Sequence, residues 1–204
     1  METIKLVPDL SGKQIKNIAE KAYCDLNAED LFPVPIDKIL ELKLGYSIIP
    51  IPRLKKDLDI DSFITKDKEL YIDEEIYMAE NNQRYRFSLA HELGHITLHE
   101  TLFKHINAID DFVLFYKTTP DYILGKLESQ SDRFASFFLC PYKYIDIAIR
   151  NFVIKPYADS GIKNINKDKT KEAVEYQIAK IANYFNVSSK AMMVRMARYF
   201  ENNL

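Results

Sequence analysis

All four histidines of the chain, His91, His95, His99 and His105, fall within one stretch of 15 residues. The stretch contains His91-Glu92-Leu93-Gly94-His95. Residues four apart on a helix share a face, with Cβ atoms about 5–6 Å apart. Two imidazoles so placed can each bring a nitrogen about 2.0–2.1 Å from one Zn²⁺. Glu92, next to the first histidine, could reach a water held there and take its proton, which a metal makes easier to remove. The spacing points to metal-assisted hydrolysis. The plainer alternative is a pair of exposed histidines on a surface helix.

A catalytic zinc keeps three protein ligands and one open position, so a third ligand must come from elsewhere. His99 lies about 12 Å along the helix axis from His91, at 1.5 Å per residue. One ion cannot be held by both. His99 therefore reads as a residue that caps or lines the cleft, or packs on the next helix. His105 falls in the following loop, and nothing in the spacing selects it. The better candidate is Glu128, with Asp132 four residues later on the same helical face. One carboxylate can bind zinc while the other accepts the spare N–H of a ligand histidine and fixes its ring. Ser131 and Ala135 are small and would let this helix approach the histidine helix. Two solvent-facing carboxylates are the alternative reading. Hydrolysis also needs a donor for the oxyanion, and Tyr85, His99, Tyr116 and Tyr122 are all candidates.

The elements that must position these groups read as an α+β fold. It is mostly helical, with a small sheet of about three strands packed on the histidine helix. Residues 11–27 have helical periodicity, and 36–42 form a short second helix. Strands are expected at 46–51, 61–65 and 69–73, with Lys66-Asp67-Lys68 as the turn of a hairpin. The last of these strands is the candidate edge for an extended substrate. Helices follow at 84–100, 122–139 and 142–152, and residues 101–121 read as loop. The lysine-rich stretch 151–171 is the linker candidate. It divides a domain carrying the metal-site candidates, 1–155, from a C-terminal helical, helix-turn-helix-like subdomain, 156–204.

The C-terminal helices, ending at 185 and beginning at 189, resemble a helix-turn-helix unit with Lys190, Arg195 and Arg198 on the second helix. DNA or protein contact is one reading. A packing module with Met192, Met193 and Met196 as filler is the preferred one, and protein contact ranks above DNA.

The chain has 204 residues and a formal net charge of −2. A whole-surface nucleic-acid binder would be basic. Two cysteines, Cys24 and Cys140, cannot make a disulfide framework and suit reduced thiols. Cys140 reads as a small buried residue. No run reaches the 18 or so apolar residues that span a bilayer, and the first 16 residues lack a signal-peptide pattern. A soluble, cytoplasmic protein without membrane partners is expected.

Arg86-Phe87-Ser88-Leu89-Ala90-His91-Glu92-Leu93-Gly94-His95, followed by Leu98-His99, resembles the signature of the ImmA/IrrE metallopeptidases. Glu128-Ser129-Gln130-Ser131-Asp132-Arg133-Phe134-Ala135, running to Leu139-Cys140-Pro141, is similar to the family's second signature, E-x-x-A-D/N-x-F-A and then L-L-M-P. Ser131 stands for the usual Ala and Cys140 for the usual Met. The resemblance implies a gluzincin-like site: His91, His95 and Glu128 on zinc, Glu92 as general base, Asp132 orienting a ligand histidine. It also implies a cytoplasmic endopeptidase of phage or mobile-element type that cleaves a helix-turn-helix repressor to relieve repression. The alternative is a non-catalytic, zinc-containing partner that sequesters a repressor or antitoxin.

Overall fold

Ser11 begins the first long helix by a reciprocal cap. Its hydroxyl accepts from the Gln14 N–H, and the Gln14 side chain accepts from the Ser11 N–H. The structure, a computed structural model, describes residues 7–80, 82–161 and 166–202. Part of the expected linker, 162–165, and the first six residues of the N-terminal stretch lie outside these. Helix α1 (Gly12–Leu26) buries Ile15, Ala19 and Tyr23. A helical turn, Ile36–Lys38, continues into π-helical Ile39–Lys43 and plants Ile36, Ile39 and Leu40 in the core.

Three strands follow: β1 (Ser47–Ile51), β2 (Ser62–Ile64) and β3 (Glu69–Asp73). β2 and β3 form the expected antiparallel hairpin, closed by Lys68 in the left-handed region at φ 61°. β1 pairs parallel to the other side of β3, so the order is β1-β3-β2. This corrects one expectation: Glu69–Asp73 is the central strand, and β1 and β2 are the edges. The hairpin fills one side of β3, and the crossover from β1 fills the other.

The remaining long helices are α2 (Gln83–Leu98), α3 (Ile109–Thr118), α4 (Asp121–Leu139), α5 (Tyr142–Ile149), α6 (Lys167–Tyr176), α7 (Ile178–Phe185) and α8 (Ser189–Asn202). The expected loop at 101–121 is therefore mostly helix, Glu100–Phe103 and then α3. Asp110 and Asp111 favour a helix N-terminus electrostatically, and Phe112, Phe115 and Tyr116 recur at helical spacing. Residues 150–159 are helical too, which corrects the start of the expected linker. Val153 is fully buried and anchors them. Pro156 directly follows π-helical Arg150–Ile154 within one continuous helical run. The single helix expected at 170–185 is broken at Gln177 into α6 and α7.

The C-terminal pair packs on the body. Ser188 caps α8 by accepting from the Ala191 N–H. Arg195 is fully buried. Its Nε donates to the Cys140 carbonyl at 3.1 Å, and its guanidinium lies over the rings of Phe137 and Tyr142. It is thus turned away from any nucleic acid. Met192 and Met196 are buried as filler, whereas Met193 is 57% exposed. From α2, buried Arg86 donates to the carbonyls of Val34 and Asn186, tying the histidine helix to the C-terminal turn.

α2 and α4 make the most extensive helix–helix contact, and α2 also meets β2. Their approach is tight at Gly94. A Cβ there would lie 3.0 Å from the Ser131 Cα and 3.1 Å from its carbonyl oxygen. No helix among the described residues is long and apolar enough to cross a membrane.

Gly94→Ala sets a helix-propensity gain of up to about 1 kcal/mol against overpacking of about 1–3 kcal/mol. The atoms met are backbone and cannot rotate aside, so net destabilisation is expected in denaturant titrations. Ser131 Oγ is buried without a partner, and Ser131→Ala is expected to be neutral or to stabilise by up to about 1 kcal/mol. A stable Gly94→Ala protein would mean the helices run farther apart.

Candidate metal centre

His91 and His95 lie one turn apart on α2, and their Nε2 atoms are 2.9 Å apart. α4 brings Glu128 to the same point. Its Oε2 is 3.1 Å from His91 Nε2, and its Oε1 is 3.7 Å from His95 Nε2. One ligand atom from each of the three residues lies within 4.8 Å of the others. A tetrahedral zinc with bonds near 2.0–2.1 Å separates its ligand atoms by about 3.3 Å, so this donor set and its spacing could hold such an ion.

Asp132, one turn beyond Glu128, reaches the other side of the His91 ring, with Oδ1 2.9 Å from Nδ1. Burial opposes charge on His91, but Asp132 and Glu128 outweigh it and lift its pKa to about 10. Without a metal, this ring is an imidazolium at neutral pH. His95 is 4% exposed; burial and the His91 charge push its pKa well down, and it stays neutral.

Glu92 points to the opposite wall, toward β2. Burial raises its carboxyl to about 7, opposed by the His91 charge and by a hydrogen bond. That bond comes from the Ser62 hydroxyl at 2.7 Å. Tyr116, on α3, donates to Glu128 Oε1 at 2.7 Å. Burial first, then the Glu128 charge, raise the phenol's pKa and keep it a donor.

These groups line one cleft of about 580 Å³. Phe87, Phe103, Phe112, Phe115 and Leu127 make its apolar wall, and Lys55, Asp59 and Asp61 lie at its polar end. Of the four suggested oxyanion donors, Tyr116 alone is on this wall. Tyr85 packs edge-on to Tyr77, Tyr122 is 66% exposed away from the cleft, and His99 is buried behind His95. His105 is exposed and outside the lining. Cys140 is buried, and burial pushes its thiol up to about 12. Ser62 and Gln130 were not singled out by sequence. A serine in a strand and a glutamine on an amphipathic helix carry no signal of their own.

Residues 43–197 match the model of the Peptidase M78 family, the IrrE N-terminal-like domain. The chain belongs to this family. The domain is thus of metallopeptidase type, and His91, His95 and Glu128 form a cluster that could bind a metal. A Mycobacterium tuberculosis transcriptional regulator of solved structure is similar in fold, with a TM-score of 0.51 at 13% identity. The similarity covers 86% of this chain and 45% of that one, so the chain spans less than half of the regulator's length. A comparison with curated proteins gives no match.

A metal that takes His91 Nε2 must displace the proton held there below pH 10. Uptake of zinc at pH 8 should therefore release at least one proton per ion. Apparent affinity should fall about tenfold per pH unit, per proton displaced, as the pH is lowered. Calorimetry in buffers of different ionisation enthalpy reads this directly. Uptake without proton release would contradict the charge assigned to His91.

Proposed function

We propose that the chain is a zinc-dependent endopeptidase that cleaves a helix-turn-helix transcriptional repressor and so relieves repression, in the manner of phage or mobile-element regulation. The observation that carries the peptidase reading is the convergence of His91, His95 and Glu128 beside a buried carboxylate, Glu92. Family membership supports it. The repressor as substrate rests on the resemblance to the ImmA/IrrE enzymes, and the likeness to a transcriptional regulator is consistent with it.

In this reading His91, His95 and Glu128 hold the zinc, and Asp132 fixes the His91 ring through Nδ1. Bound zinc supplies Lewis acidity, polarising the scissile carbonyl and easing the ionisation of water. Glu92 is the general base. A carboxyl near neutrality can take a proton from the attacking water and return it to the leaving amine. Ser62 keeps one Glu92 oxygen in place. Tyr116, on the cleft wall, would donate to the developing oxyanion by turning its one O–H from Glu128. Glu92 favours hydrolysis over sequestration, because a binding partner needs no general base.

β2 is the edge that suits an extended substrate. The Thr65 N–H bonds the Glu69 carbonyl, and the Asp73 N–H bonds the Asp61 carbonyl. By alternation, Ser62 directs its main-chain groups away from β3. Farther along, the same side is covered, since Ile64 is 2% exposed and the Lys66 N–H bonds the Ile106 carbonyl, so the free edge is at Ser62. A peptide paired there would run past Ser62, whose side chain already touches Glu92.

The test is co-incubation of the protein and zinc with the helix-turn-helix repressor encoded beside it, read by intact mass. One defined cut is expected. Glu92→Gln should lower the rate about 10²–10⁴-fold while keeping the zinc, and Tyr116→Phe should lower kcat about 10²–10³-fold with little change in KM. A stable complex without cleavage would favour the sequestering partner.

A further inference from the structure

We propose that His99 and Gln130 set the position of the proton on His95, and so hold its Nε2 lone pair ready for the metal before an ion arrives. This rests on the reading of His91, His95 and Glu128 as the metal ligands.

The hydrogen bonds allow one consistent pattern of protons. The Pro8 main-chain carbonyl can only accept, and the Gln130 side-chain nitrogen donates to it at 2.9 Å. That contact decides which end of the amide faces inward. Gln130 Oε1 then lies 2.7 Å from His99 Nε2. An amide oxygen only accepts, so His99 carries its proton on Nε2, and its Nδ1 is bare in the neutral ring. His99 Nδ1 is 3.1 Å from His95 Nδ1. A bare nitrogen accepts, so His95 donates from Nδ1. Its Nε2 is left bare, facing His91 and Glu128.

The other tautomer of His95 fails at both ends. Two bare nitrogens would face each other at Nδ1, and a proton would stand at Nε2 where the metal must bind. All three side chains are buried, at 4% exposure for Gln130, 1% for His99 and 4% for His95. Water therefore has little access to repair a mismatch. Phe103 meets the His95 ring edge-on and restricts its plane. His99 is thus a positioning residue, and Gln130 positions it in turn. The far anchor of the series is the N-terminal segment at Pro8, so the seating of that segment bears on the metal site.

Two measurements test this. Long-range ¹⁵N–¹H spectra of the metal-free wild-type protein should show His95 protonated on Nδ1 and His99 on Nε2; His95 protonated on Nε2 would overturn the proposal. Zinc affinity, measured by competition with a chromogenic chelator, should fall about 10- to 100-fold in His99→Phe, and also in Gln130→Leu. His99→Gln, which restores an acceptor, should recover most of the loss. Wild-type affinity in His99→Phe would overturn the proposal. So would equal losses in His99→Phe and His99→Gln that track a shared drop in metal-free thermal stability, because that pattern assigns His99 to packing. A wild-type protein that binds no zinc would instead defeat the metal reading on which the proposal stands.

Discussion

Gly94 and Ser131 mark a tight approach of α2 and α4, and that distance governs the spacing of the groups these two helices bring to the site. Gly94 directly precedes His95, and Ser131 directly precedes Asp132. With a Cβ at Gly94 already at 3.0 Å from the Ser131 backbone, α2 has little room for a side chain there. The approach lets Glu128 face both imidazoles and lets Asp132 reach behind His91. The small sheet contributes from the other side, since β2 carries Ser62 to Glu92. α3 completes the cleft with Tyr116 and an apolar wall. Two helices thus fix the ligand geometry, and the strand and third helix fix what lies around it.

Charge is the second constraint. The site gathers Glu92, Glu128 and Asp132 around two imidazoles, with Glu92 buried. In the absence of a metal, the proton on His91 offsets part of this negative charge. His95 stays neutral, and its ring is held from behind by His99 and Gln130. The two histidines therefore differ in role. His91 exchanges a proton for the metal under the influence of carboxylates, whereas His95 is a neutral ligand in a buried hydrogen-bonded series. Unequal environments on one helix face separate two residues that look equivalent in sequence.

The clustering of His91, His95, Glu128 and Asp132 was legible because its signals are local. His91 and His95 need only helical spacing, and Glu128 with Asp132 repeats the same period on the next long helix. The three strands and the hairpin turn at 66–68 were also readable. Strand order was not, because the parallel pairing of β1 with β3 depends on a crossover that leaves no local mark; Glu69–Asp73 therefore looked like an edge. α3 was hidden by Asp110, Asp111 and Pro120, which suggest a loop in isolation but here serve helix starts. Arg195 looked like a surface cation on a recognition helix. Its burial against Phe137 and Tyr142 is a tertiary fact. Gln130 and Ser62 act through partners 31 and 30 residues away, beyond the reach of any short pattern.

The claim on which everything else stands is that His91, His95 and Glu128 hold one metal ion. X-ray absorption at the zinc edge of the loaded protein tests it most directly, together with metal analysis of the wild type and of His95→Ala. The account predicts one zinc per chain, nitrogen and oxygen neighbours at about 2.0–2.1 Å, two imidazole signatures, no sulfur, and loss of the zinc in His95→Ala. Zinc bound through sulfur, or retained unchanged in His95→Ala, would contradict it.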